Sequence, residues 1–257
     1  GRNLLILVTD GTGFGVVREF NYQTGAVVGT FGETASFISN PTAMAFDSSD
    51  DLYLADGDGT VAIFDGATGF YQSSYGDDIS GPGGESPTAI AFDGSGNLLA
   101  VYGAGVAAVY SYDGSSSTAG AVLGDIGGEL SGASDIAVVG STAILVLDPT
   151  ASAVVSCDGS GTSCSSFSAL AGALSGGDSL AAVAANPSAA AAPSAAVLVL
   201  VDNVAGDGVV ACNADGSTCA AFGSATALGT SAADIFFAPS ELPTTTTTTT
   251  STTTTVP

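Results

Sequence analysis

Apolar residues in this chain come in short runs, and each run is closed by Asp, Asn or Gly. Pro41-Thr-Ala-Met-Ala-Phe-Asp47 is followed by Asp51-Leu-Tyr-Leu-Ala-Asp56, Thr60-Val-Ala-Ile-Phe-Asp65 and Gly69-Phe-Tyr-Gln-Ser-Ser-Tyr75. The same order returns as Pro87-Thr-Ala-Ile-Ala-Phe-Asp93, Asn97-Leu-Leu-Ala-Val-Tyr102, Val106-Ala-Ala-Val-Tyr110 and Ala119-Gly-Ala-Val-Leu123. Runs this short, bounded by turn formers, predict strands rather than helices. Ala143-Ile-Leu-Val-Leu147 and Ala196-Val-Leu-Val-Leu-Val201 are apolar without alternation, as strands covered on both faces are. Residues 179–201 are apolar enough to suggest a membrane span, but Asn186, Pro187, Pro193 and several serines interrupt the stretch and exclude one.

Four such strands make one unit, and a unit this small cannot cover its own faces. It must stack on copies of itself, and a radial stack of four-stranded antiparallel sheets is a β-propeller. Third strands end at Phe20-Asn21, Phe64-Asp65, Tyr110-Ser111, Cys157-Asp158 and Cys212-Asn213, at intervals of 44, 46, 47 and 55 residues. The long last interval contains Asn186-Pro-Ser-Ala-Ala-Ala-Ala-Pro193, read as an extended loop. The expectation is an all-β, five-bladed propeller over residues 1–242, with a Thr/Pro-rich extended tail over 243–257. The chain opens on Asn3-Leu-Leu-Ile-Leu-Val-Thr-Asp10, which matches a second strand, with no first strand before it. Ala233-Asp-Ile-Phe-Phe-Ala-Pro239 reads as a first strand. Residues 233–239 therefore close the first blade, or else complete the ring of a neighbouring molecule; either removes free sheet edges.

The tandem phrase Pro-x-x-(Met/Ile)-Ala-Phe-Asp-x-x-(Asp/Gly)-(Asp/Asn)-Leu, at Pro41–Leu52 and Pro87–Leu98, resembles NHL-type and related YVTN-type propeller repeats. The likeness is good in residues 1–125 and fades where Ala and Ser replace the consensus. It implies the fold and little about function, since such repeats serve scaffolds, binding platforms and some enzymes.

Charge changes the picture more than the strands do. Two basic and 25 acidic residues give a net charge of −23, with no histidine, and the two cations are Arg2 and Arg18. Nucleic-acid binding needs clustered Lys and Arg, and attraction to an anionic membrane surface needs the same; neither partner is expected. Cationic partners, divalent metals and neutral glycans stay open. Charged residues are only 11% of the chain, against about 25% in an average domain. A surface so rich in Ser, Thr, Gly and Ala suits close packing against other subunits, or a coat of sugar.

Cys157 and Cys164 flank six residues, Cys212 and Cys219 flank another six, and both pairs follow Val-Val-x-Cys. Each pair falls on the hairpin between third and fourth strands, where two cysteines face one another. Two local disulfides are the natural pairing among the three possible connectivities. A zinc site lacks histidine and has the wrong spacing. The compartment is expected to be oxidising, extracellular or cell-surface. The chain opens on Gly1 without a signal peptide, the start expected of a mature or trimmed product.

Pro243 precedes Thr244, Thr245, Thr246, Thr247, Thr248, Thr249, Thr250, Ser251, Thr252, Thr253, Thr254 and Thr255, then Val256 and Pro257. Such a tract cannot form a core and resembles an O-glycosylated stalk; unmodified, it is a disordered linker. No Asn-x-Ser/Thr acceptor is present, since Asn40 and Asn186 each precede proline.

Without histidine or lysine, most nucleophilic and acid–base schemes are closed. Asp135 and Asp234 fall at equivalent points of first strands, where Ala43 and Ala89 stand in other blades, with Asp178 slightly offset. First strands line a propeller's axis, so these three acids could form a cluster there. It could hold Ca²⁺, a hard cation that takes carboxylate oxygen. It could also serve a glycosidase, which needs two carboxyl groups about 5–9.5 Å apart. The third alternative is that each Asp caps its own backbone. Gly11-Thr-Gly-Phe-Gly15 lacks a following helix and reads as a hairpin turn rather than a phosphate loop. Asp56-Gly-Asp-Gly59 reads as a turn, and the Asp residues ending second strands (Asp10, Asp56, Asp148, Asp202) as turn signatures. The functional expectation is a non-enzymatic structural or adhesive propeller without a resident cofactor, assembling with itself and carrying O-linked glycans. A secreted propeller that binds a glycan or a metal, or hydrolyses a glycan, through acidic residues in the central channel is the alternative.

Overall fold

The structure is a computed structural model that describes residues 3–9, 15–21, 27–30, 39–75, 78–81, 84–102, 108–114, 121–123, 130, 132–139, 143–167, 179–185, 197–202, 208–213 and 216–221. Among the described residues, five antiparallel sheets follow one another along the chain. The first holds β1 (Asn3–Thr9), β2 (Gly15–Asn21) and β3 (Val27–Thr30). The second holds β4 (Pro41–Phe46), β5 (Leu52–Asp56), β6 (Val61–Phe64) and β7 (Tyr71–Ser74). The third holds β8 (Ala89–Phe92), β9 (Leu98–Tyr102), β10 (Ala108–Tyr112) and β11 (Ala121–Val122). The fourth holds β12 (Asp135–Val139), β13 (Ala143–Asp148), β14 (Ala153–Asp158) and β15 (Cys164–Ser166). The fifth holds β16 (Ser179–Ala185), β17 (Val197–Asp202), β18 (Gly208–Cys212) and β19 (Cys219–Ala221). Within each sheet, strands lie side by side in chain order.

The core lies between sheets, which explains the unbroken apolar runs. Leu98 and Ala100 of β9 pack with Ala43, Ala55 and Val61 of the second sheet. Leu99 and Val101, pointing the other way, pack with Ile136, Ile144 and Val146 of the fourth. Leu145 and Leu147 of β13 then meet Val183 and Val210 of the fifth. Val17 of β2 packs with Met44, Leu52, Leu54 and Phe64. Period-two alternation sends odd and even side chains of one strand into different interfaces, so both faces must be apolar. Each fully buried Leu or Ile contributes about 1.5–3 kcal/mol.

First strands of successive sheets meet one another, β4 with β8, β8 with β12 and β12 with β16. They therefore occupy the inner end of each sheet. β1 meets β4 much as β9 meets β12 and β13 meets β16, the contact of a second strand. Register corrects one anchor of the sequence reading. Leu52 pairs with Phe64, whereas its counterpart Leu98 pairs with Tyr112. Tyr112, not Tyr110, thus holds the third-strand position, because Leu98 and Tyr112 are fourteen positions apart where Leu52 and Phe64 are twelve. Residues 179–185 and 197–202 form two paired antiparallel strands, in keeping with the rejection of a membrane span. No helix among the described residues is long and apolar enough to cross a membrane. The expected closing strand 233–239 and the tail 243–257 lie outside the described residues.

Candidate functional site

Asp135 opens β12 and pairs with Leu147, as Ala43 pairs with Ala55 and Ala89 with Val101. The register therefore places it where the repeat puts alanine. Its Oδ2 accepts a 2.7 Å hydrogen bond from the amide of Val183 on β16, and its Oδ1 one of 2.8 Å from the amide of Ile136. The carboxylate links the first strands of the fourth and fifth sheets through backbone, the capping alternative in an inter-sheet form. Asp178 and Asp234 lie outside the described residues, so the three-acid cluster is represented by one member. Among the described residues no group of three or more His, Cys, Asp or Glu comes together to hold a metal.

The second-strand aspartates do more than turn the chain. Asp56 is 3% exposed. Its Oδ2 accepts from the amide and hydroxyl of Ser39, at 2.9 and 3.1 Å, and its Oδ1 from the amides of Asn40 and Gly57, at 3.0 and 2.7 Å. One carboxylate thus fastens the segment entering β4 to the end of β5. Asp148, fully buried, closes β13 at the same position and accepts from the amide of Ala151 at 2.9 Å. Tyr102 replaces the aspartate in the third sheet. Its hydroxyl donates to the carbonyl of Ile79, in the segment entering that sheet, and lies 2.8 Å from the hydroxyl of Tyr112. The hydroxyl of Tyr75 donates to the Tyr112 carbonyl at 2.9 Å. Burial, then the bond to Tyr112, pushes the Tyr102 phenol far above its ordinary value. A Cβ at Gly81 would stand 2.4 Å from the Tyr102 ring, so the larger clasp requires glycine opposite.

The outer hairpins of the second, fourth and fifth sheets follow one template in which closing residues are seven apart. Phe64 pairs with Tyr71, Cys157 with Cys164 and Cys212 with Cys219. The aromatic pair meets edge to face at 5.8 Å between ring centres. The cysteine pairs have S–S distances of 2.07 and 2.04 Å. The residue after each of these closing residues Phe64, Cys157 and Cys212 organises the turn. Asp65 Oδ1 accepts from the amides of Ala67 and Thr68, and Asp158 Oδ1 from those of Ser160 and Thr162. Asn213 Oδ1 accepts from the amide of Thr218. Hydroxyl donation, from Thr68 to Asp65 and from Ser160 to Asp158, is the main reason both carboxyl groups sit below the usual carboxylate range. Asp56-Gly-Asp-Gly59 is likewise a turn, with Asp58 Oδ1 accepting from the amide and hydroxyl of Thr60. Thr9 pairs with Gly15 across antiparallel β1 and β2, so the Gly11–Gly15 stretch joins a hairpin. The Thr/Ser tract of the tail lies outside the described residues.

No protein-family model matches the chain, and no curated protein matches it. Solved structures do. The chain is similar to a structure in the nidogen/laminin complex (TM-score 0.62, 13% identity, 93% of this chain and 83% of that one). It is also similar to U3-55K (TM-score 0.53, 14% identity, 93% and 67%). The WD40 repeats of RRP9 match with TM-score 0.50 and 13% identity over 93% and 67%. At such identities the likeness speaks for the fold alone. The chain has a β-propeller fold, and the antiparallel sheets of its described residues are the blades.

Proposed function

We propose that this protein is a non-enzymatic, extracellular structural or adhesive propeller that assembles with itself into a surface layer, filament or matrix. The observation that carries this reading is how the described carboxylates are used. Asp56, Asp65, Asp135 and Asp158 hold the chain's own amides and hydroxyls, which leaves them as parts of the scaffold rather than as acids facing a substrate. Paired cysteines in two hairpins favour an oxidising compartment. A surface poor in charge favours close packing between copies. The nidogen/laminin complex, which contains a structure similar to this chain, offers a precedent for a propeller that takes part in a protein complex.

In this reading the ring has five NHL-like blades and 233–239 is the inner strand of the first. Two features support that closure. β1 already stands as a second strand beside β4. Outer strands are joined to the next first strand by residues 31–40, 75–88, 123–134 and 167–178, which are ten to fourteen residues long. Residues 222–232, eleven in number, fall within that range, so the strand can reach its own ring. The tail then leaves from the axis as an O-glycosylated spacer.

Intact-mass measurement of the native secreted protein, before and after chemical removal of O-glycans, with pelleting of assembled material, tests the proposal. A mass above 24.6 kDa that falls on deglycosylation, in material that sediments as large assemblies, is the expected result. An unmodified monomer that stays in the supernatant at high concentration contradicts it.

A further inference from the structure

In the second, third and fourth sheets, the residue that leaves the outermost strand makes the same backbone bond. The amides of Tyr75, Leu123 and Phe167 donate to the carbonyls of Val61, Val109 and Val154, at 2.8, 2.9 and 2.8 Å. Their side chains then reach the following sheet. The Tyr75 hydroxyl meets the Tyr112 carbonyl of the third. Leu123 packs against the cluster that holds Cys157 of the fourth and, at its margin, Cys164. Phe167 joins the cluster that holds Cys212 of the fifth and, at its margin, Cys219. Each of these outer strands is thus latched to the next sheet, and in two cases the latched cluster contains a disulfide.

The two disulfide latches differ in depth. Leu123 is half-buried, whereas Phe167 is 4% exposed. Gly216 stands at φ +66° in the turn that the Cys212–Cys219 bridge closes, and a Cβ there would collide with the Phe167 ring. The ring therefore seats in the turn itself. Phe167 directly follows β15, a three-residue outermost strand paired with β14. Cys164 pairs with Cys157, Ser165 with Ser156 and Ser166 with Val155, and the first of these pairs is covalent. The bridge of the fourth sheet thus anchors the strand whose exit residue covers the bridge of the fifth. The dependence does not run backwards, because the Cys157–Cys164 bridge belongs to the cluster shared with the third sheet.

We propose that the two disulfides form a one-way redox latch: a dithiol reductant opens Cys157–Cys164 first, and Phe167, released with β15, then uncovers Cys212–Cys219. Cys157 is 2% exposed and Cys164 half-buried, so a reductant thiolate attacks Cys164 Sγ. The S–S bond breaks, Cys157 leaves as a thiolate and takes up a proton, and a mixed disulfide stands at Cys164. The reductant's second thiol gives up its proton and attacks that mixed disulfide. Cys164 leaves and is protonated, and the reductant closes its own ring disulfide. Two electrons and two protons have passed to the protein. Cys219 is half-buried too; what separates the bridges is the ring seated in the fifth sheet's turn. Exchange needs the three sulfurs in line, and hence room for the turn to move, which Phe167 denies until it leaves. A protein so built stays closed in an oxidising compartment and opens its fourth and fifth sheets in sequence when a dithiol is present.

Timed exposure of the oxidised full chain to dithiothreitol without denaturant, quenched by alkylation and mapped by peptide mass spectrometry, reads the order directly. In the wild type, Cys157 and Cys164 should be alkylated first, with Cys212 and Cys219 following. Removing the first bridge (Cys157→Ser with Cys164→Ser) should speed reduction of the second about tenfold or more, and Phe167→Ala should do the same with the first bridge intact. Removing the second bridge (Cys212→Ser with Cys219→Ser) should leave the rate at the first unchanged. Wild-type molecules that lose the Cys212–Cys219 bridge first, or both bridges at once, overturn the latch. So does a rate at Cys212–Cys219 that neither the first-bridge variant nor Phe167→Ala alters. Should the serine variants misfold, the order in the wild type and the milder Phe167→Leu, expected to speed only the second bridge, decide between the same outcomes.

Discussion

Asp56→Asn keeps the shape of a buried side chain and removes its charge. The native carboxylate holds the Ser39 amide and hydroxyl on one oxygen and the Asn40 and Gly57 amides on the other. An asparagine retains one carbonyl oxygen, so one pair of donors keeps an acceptor and the other faces an NH₂ group. Gly57 has a second acceptor in the carbonyl of Asn40 at 2.9 Å, so the Ser39 and Asn40 amides bear the effect. Hydrogen bonds to a charged group are worth about 1.5–3 kcal/mol each, and water can reach the exposed residues 39 and 40, which puts the effect at the low end of that range. Asp56→Asn should therefore cost about 1–2 kcal/mol and Asp56→Ala about 2–4 kcal/mol, the latter adding the loss of every acceptor. Urea unfolding followed by circular dichroism reads this as a lower midpoint with unchanged slope. Asp58→Asn, in an exposed turn, serves as the control and should stay within about 0.5 kcal/mol of wild type. An Asp56→Ala protein as stable as wild type would refute the clasp and return Asp56 to a simple turn residue.

Reduction of both disulfides, or Cys157→Ser with Cys164→Ser, should lower stability by about 2–3 kcal/mol per eight-residue loop; an unchanged urea midpoint in reductant counts against it. Gly81→Ala should cost about 1–3 kcal/mol, because the new Cβ meets the Tyr102 ring, and Tyr102→Phe in the same background should recover none of it, since the ring remains. The raised Tyr102 phenol makes stability present below pH of about 10, the unfolded value, and lost as pH climbs above it. Tyrosinate absorbance at high pH should show that group ionising only as the protein unfolds, and an early, reversible ionisation of every tyrosine contradicts this. The lowered carboxyls of Asp58, Asp65 and Asp158 act in the opposite sense: their contribution is present above pH of about 4 and fades as pH falls below it. Thermal melts from pH 5 to pH 2 should show the decline, and a flat profile speaks against it.

Strand positions were legible because Asp and Gly mark the turns at matching places in each repeat. Pro41–Phe46 and Leu52–Asp56 fall where the phrase places them. The position of Asp135 beside Ala43 and Ala89 was readable from the same alignment, but its partner was not. Spacing along a strand says nothing of which amide on the next sheet faces it, and Val183 lies 48 residues away. The sequence does not separate Tyr110 from Tyr112, because each is a tyrosine followed by a polar residue and the longer connection before β10 leaves no mark in the apolar pattern. The clasp at Asp56 carried a signal, the aspartate ending second strands, whose meaning depends on a loop sixteen residues earlier folding back onto it. The Asp or Asn following third strands was an equally readable sign of the outer-turn template. Tyr102 breaks the aspartate repeat, and only the hydroxyl's reach to Ile79 shows that the same fastening is achieved by another chemistry.

Cryo-electron microscopy of the native assembled protein tests the central claim most directly, because it reads ring, closure and contact together. The account predicts five blades per subunit, residues 233–239 as the inner strand beside β1, and subunits meeting one another in an ordered array. Isolated discs, or a ring whose first blade is completed by some other segment, would contradict it.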